Sequence, residues 1–108
     1  MESQYTKEIG HIKGIDLTFR ALREDIPIGD TLDIDDGKEV IEKLEAGELV
    51  YFCAEVVGSK NGIKLSSDYL GACIYKDYEE FLNGGDYIDD MKKTVVKEAL
   101  EAITNLLK

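Results

Sequence analysis

The chain has no tryptophan, one proline (Pro27), one histidine (His11) and two cysteines (Cys53 and Cys73) among its 108 residues. Each scarcity closes off a class of explanation. The two cysteines lack the spacing of a metal knuckle and are too few for the disulfide framework of a small secreted domain. Both lie in apolar, strand-like runs, which predicts buried free thiols in a reducing compartment; a redox pair across neighbouring strands is the other reading. One histidine, near an expected strand start, gives no Ser/His or Cys/His pair whose spacing singles it out, so no enzyme is expected. No apolar run approaches the roughly 18 residues of a membrane span, and Met1 to Gly10 has neither the basic start nor the apolar core of a signal peptide. A cytoplasmic protein without a membrane partner is the expectation. With no repeat, no low-complexity tract and no Pro-rich linker, residues 1–108 read as one domain.

Phosphate and metal loops are missing as well. Asn61-Gly62 and Gly84-Gly85 are turn signals, with no Lys-Ser/Thr following them and no strand-to-helix context. The run Asp30-Thr31-Leu32-Asp33-Ile34-Asp35-Asp36-Gly37 invites comparison with a calcium loop. Setting Gly37 at the sixth position, however, puts Leu32 first, Ile34 third and Lys43 twelfth, where carboxylates are needed. Asp35 or Asp36 is better explained as a helix cap. No metal and no cofactor are expected.

What the chain does have is negative charge, −10 in total, unevenly spread. Glu24 to Glu48 holds ten acids against Lys38 and Lys43, a net of −8. Asp77 to Asp90 holds six acids and no base, which leaves +4 for the remainder of the chain. This polarity disfavours direct nucleic-acid binding by the acidic parts and favours a basic protein surface as partner. The competing explanation is that the charge only keeps the chain soluble.

The hydrophobic pattern predicts the fold class. Ile15, Leu17, Phe19 and Ala21 alternate with polar residues, giving a strand over roughly His11 to Arg23. The spacing of Val40, Ile41 and Leu44 predicts a helix over about Gly37 to Ala46, ended by Gly47 in a left-handed turn. The connector Asp25 to Asp30 around Pro27 reads as a loop. Leu49 to Val57 is a β-rich run, and Asn61-Gly62 joins it in an antiparallel hairpin to the segment ending at Tyr75, either one bulged strand or two short ones. Asp77 and Glu80 form a capping-box pattern for a helix over Tyr78 to Leu82. Ile88, Met91, Val95, Ala99, Ile103 and Leu106 recur at spacings of three and four, the stripe of a long C-terminal helix. The order β-α-β-β-α-α implies a two-layer α+β domain, with an antiparallel sheet of three to four strands and helices mainly on one face. Apolar residues on both sides of Leu49 to Val57 call for cover on the second face by a helix, a homodimer partner or another protein.

The segment from Tyr75 to Asp90 interleaves acids with tyrosines. Carboxylates on a rigid scaffold can stand where a basic groove expects phosphates, and exposed tyrosines supply contact area at low entropic cost. The candidate partner-binding residues are therefore Asp77, Tyr78, Glu79, Glu80, Asp86, Tyr87, Asp89 and Asp90. The other assignment has the tyrosines on the core and the acids capping two helices. In size, charge and this acidic, aromatic run into a Tyr-Ile-Asp-Asp-Met helix start, the chain resembles small accessory proteins of phages and plasmids, among them anti-restriction and anti-CRISPR proteins that mimic nucleic acid. The resemblance covers the last third of the chain. It implies an inhibitor that occupies the nucleic-acid-binding surface of a defence protein; a homodimeric accessory protein is the alternative.

Overall fold

The computed structural model describes residues 3–25 and 34–107, with the side chains of 34–37 left aside. Strands β1 (Ser3–Ile12), β2 (Ile15–Arg23), β3 (Val50–Lys60) and β4 (Ile63–Tyr75) form one antiparallel sheet in the order β1-β2-β3-β4. Helix α1 (Ile34–Glu45) lies in sequence between β2 and β3; α2 (Tyr78–Asn83) and α3 (Asp86–Leu106) come after β4. This is the expected α+β class, with one more strand than the expected order.

The additional strand arises from a turn the residue types conceal. Lys13 and Gly14 take φ of 52° and 82°, so Ile12 pairs with Ile15 across a two-residue hairpin, and the strand expected from His11 is split there. Asn61 and Gly62, at 53° and 79°, make the same kind of turn between β3 and β4. Asparagine and glycine tolerate the left-handed region, which is why the second hairpin is legible and the first is not.

Strand β4 is a single strand bulged twice. Leu65 is extra between the pairs Ser59↔Lys64 and Gly58↔Ser66, and a second shift separates Phe52↔Cys73 from Ala54↔Leu70. At that second bulge Ala72 turns left-handed (φ 54°), and its freed N–H donates to the Glu24 carboxylate at 2.6 Å. A side chain thus takes over a donor that the ladder has dropped.

The core follows the strand alternation. Ile15, Leu17, Phe19 and Ala21 of β2 share a face with Phe52, Ala54 and Val56 of β3, and Phe81, Ile88, Met91, Val95, Val96 and Ala99 cover them. The C-terminal stripe is buried through Ala99 and partly buried at Ile103, whereas Leu106 is 77% exposed, so the helix outruns the sheet. Helix α3 packs chiefly across β4 and β3 and barely reaches β2. At Gly58 it leaves no room for a Cβ beside Val95, and the Ser66 hydroxyl also donates to the Val95 carbonyl at 2.7 Å.

The second sheet face is more polar than expected. Glu55 is only 1% exposed there, held by Arg20 Nη1 at 2.8 Å and Lys64 Nζ at 3.5 Å. Helix α1 begins at Ile34, so Asp35 and Asp36 fall inside it rather than at its cap; the Pro27 connector and Asp33 lie outside the described residues. Its C-terminal end is as expected. Gly47 has φ 77°, and the N–H groups of Gly47 and Glu48 donate to the carbonyls of Leu44 and Lys43, closing a Schellman motif.

Candidate functional site

The eight acidic and aromatic candidates do not form one patch, because the turn between α2 and α3 sends them in three directions. Asp77 caps α2: its carboxylate accepts from the Glu80 N–H at 2.8 Å, satisfying one of the helix's free donors. Glu79 turns toward β1, where the Tyr5 hydroxyl donates to Oε1 at 2.5 Å and Lys7 Nζ lies 3.0 Å away. These two donors hold its carboxyl below the usual range, and the same hydrogen bond raises the Tyr5 hydroxyl above its own. Tyr78 faces inward, stacked on Tyr5 at 4.9 Å and edge-on to Phe52 at 5.1 Å. Tyr78 and Glu79 thus tie α2 to the sheet, whereas Asp77 is exposed and only caps the helix.

The other five are exposed. Glu80 and Tyr87 lie on the β4 side, where both help raise the Tyr75 hydroxyl's pKa, after its burial and the Cys73 thiol beside it. Tyr87 is 61% exposed and shares a shallow pocket with Leu70 to Tyr75. Asp86 and Asp89 sit in the first turn of α3, where the helix dipole favours them, and Asp90 is next along the helix. Among the described residues, none of Glu80, Asp86, Asp89 and Asp90 has a base within ion-pair distance.

Neither cysteine is paired. Cys73 is on the core side, its thiol pushed up to about 11 by burial, while Cys53 pairs with Leu22 on the other face and is only partly buried. Strand pleating therefore separates two thiols that the sequence left open as a redox pair. Among the described residues no three or more His, Cys, Asp or Glu side chains gather as a metal site, and no helix is long and apolar enough to cross a membrane.

A feature that sequence reasoning missed lies on the other flank of α3. Because α3 stays over β3 and β4, an open groove of about 960 Å³ remains between the helix and the β1–β2 turn. Ile12, Val96 and Leu100 contribute its apolar lining, and Lys13, Lys92, Lys93 and Lys97 outnumber Asp89 and Glu101 among its charged residues. In the sequence these lysines look like a solvated helix face, and the only local signal was the +4 balance outside the acidic segments.

Comparison with protein-family models, with curated proteins and with solved structures finds no match for this chain.

Proposed function

We propose that this chain is a non-enzymatic binding protein that offers Glu80, Asp86, Tyr87, Asp89 and Asp90 to a basic protein surface, one that otherwise holds nucleic acid. The observation that carries this reading is the absence of ion-pair partners for these four carboxylates among the described residues, beside a tyrosine that is 61% exposed. Asp86, Asp89 and Asp90 start the same helix, and like charges repel one another until a cationic partner compensates them. Tyr78 and Glu79 act in this reading as supports that fix α2 on the sheet, and Asp77 as the cap of that helix. Two unpaired thiols fit a reducing, cytoplasmic setting, and the resemblance to phage and plasmid accessory proteins fits inhibition by occupancy. The homodimer alternative gains less support, because the second sheet face carries the Arg20–Glu55–Lys64 ion cluster.

The test is a variant carrying Glu80→Gln, Asp89→Asn and Asp90→Asn. It should fold as well as the parent, lose the basic proteins captured from a host lysate at low salt, and leave nothing for added duplex DNA to displace. Unchanged capture by the variant, or parent complexes that duplex DNA does not compete away, would refute mimicry.

A further inference from the structure

We propose that the lysine-walled groove between α3 and the β1–β2 turn is a binding site for a small amphipathic anion, of the class of a long-chain carboxylate. The groove shares only Asp89 with the acidic surface, and the proposal rests on its charge, lining and shape.

The charge is the first argument. Lys13, Lys92, Lys93 and Lys97 line the groove with Asp89 and Glu101, a local excess of positive charge in a chain of net −10. Lys7, Arg20, Arg23, Lys43 and Lys64 each lie within 4.0 Å of a carboxylate, while among the described residues the four groove lysines, like Lys38, Lys60 and Lys76, have no such partner. Four cations against two carboxylates leave the concavity a net +2 in an acid-rich protein, which favours an anionic occupant. Lys60 adds to the same end, its Nζ lying 3.7 Å from where a Cβ on Gly14 would stand.

The lining is the second. On α3, Val96 and Leu100 are one turn apart and face Ile12, which is 40% exposed. Lys93 and Lys97 line the same groove and are exposed, the arrangement in which a lysine's aliphatic stem adds to an apolar floor while its ammonium group stays in water. An apolar body below with an anionic head at the rim satisfies both; a fully hydrophilic anion would waste the floor, and a neutral lipid the lysines.

The third is shape. The groove follows α3 from Asp89 to Asn105, a rise of about 24 Å at helical pitch, and its volume of about 960 Å³ falls within the range of small-ligand sites. An elongated trough suits a chain better than a compact ring system. Lys13 adds a fourth observation: it occupies a left-handed corner (φ 52°) that asparagine or glycine fills at lower cost, at the mouth of the groove.

The experiment titrates the full chain with dodecanoate below its micelle onset, by calorimetry and by amide chemical shifts. Saturable one-to-one binding is expected, with shifts at 12–13 and 92–105, and no binding of acetate or dodecyltrimethylammonium. The double variant K93Q/K97Q, altering only exposed side chains, should keep the parent spectrum elsewhere and bind dodecanoate roughly five- to tenfold more weakly. Absence of saturable binding, equal binding of the cationic amphiphile, or shifts mapping away from the groove would overturn the proposal. So would cosedimentation with phosphatidylglycerol vesicles when monomeric dodecanoate does not bind, since that outcome assigns the lysines to a membrane surface.

Discussion

Gly58→Ala tests how α3 is seated. A Cβ built on Gly58 would stand 2.6 Å from Val95 Cγ1, 2.8 Å from Ser66 Oγ and 3.2 Å from Ile15 Cγ2. The backbone at Gly58 is not left-handed, so alanine meets no conformational strain, and the whole penalty comes from packing. Neither Val95 nor Ile15 has room to move, both being fully buried. The helix must lift or a rotamer must break, at about 1–3 kcal/mol for overpacking. Displacement of α3 also loosens the Ser66–Val95 hydrogen bond, a further ~1 kcal/mol. Alanine's smaller unfolded-state entropy returns about 0.4–1 kcal/mol. The net loss is therefore about 1–3 kcal/mol, which thermal unfolding reads as a fall of roughly 4 °C per kcal/mol for a chain of this length. The diagnostic measurement is the cycle with Val95→Ala, which removes the methyl that clashes. Alone it leaves a cavity and destabilises by about 1.5–3 kcal/mol; combined with Gly58→Ala it should cost at least about 0.5 kcal/mol less than the sum. A neutral Gly58→Ala, or strictly additive losses, would refute the close seating of α3 on β3.

The remaining predictions concern single groups. Val95→Asp puts an unpaired charge against the sheet and should cost roughly 3 kcal/mol or more, whereas Leu106→Ala, at a residue 77% exposed, should leave the melting temperature within error. Glu55→Gln removes the buried carboxylate between Arg20 and Lys64; because both cations reach solvent, the expected loss in chemical denaturation is moderate, about 1–2 kcal/mol. Glu79 is held below the usual carboxylate range, so its contribution is present above roughly pH 4.3 and is lost as the pH falls through its depressed value; Tyr5→Phe should flatten that acid-side slope. The Cys73 thiol is raised, so its contribution is complete below roughly pH 8.5 and is lost as the pH climbs through about 11, a slope that Cys73→Ala should remove. A thiol reagent should label Cys53 well before Cys73 in the native protein; equal rates would contradict the burial difference.

Much of the fold was readable because it is local. The Asn61-Gly62 hairpin, the Asp77 cap, the Gly47 helix end and the stripe from Ile88 to Ala99 all depend on residues within a few positions of one another. Strand β1 was missed because it is an edge strand. Only Tyr5 and Ile9 of its ten residues are even partly buried, so no alternation announces it, and Lys13-Gly14 does not look like the turn that it is. In the candidate acidic surface, the exposure of Glu80, Asp86, Asp89 and Asp90 was legible from their residue types. Nothing local could reveal that Glu79 would find Tyr5 and Lys7, more than seventy residues away, or that Tyr78 would stack on Tyr5.

The amino-acid sequence by itself determined the charge, its division into acidic blocks, the helix and strand periods and the turn at Asn61-Gly62, since these are properties of single residues and near neighbours. The tertiary structure alone decided which charges meet and which stand alone. The seat of α3 at Gly58 over β3 and β4 leaves the Ile12 end of β1 open beside it, and that offset turns a row of solvated lysines into the wall of a groove with an apolar floor. The physical reason is that helix period fixes which residues share a face, while the place where that face lies is set by steric fit between elements distant in the chain.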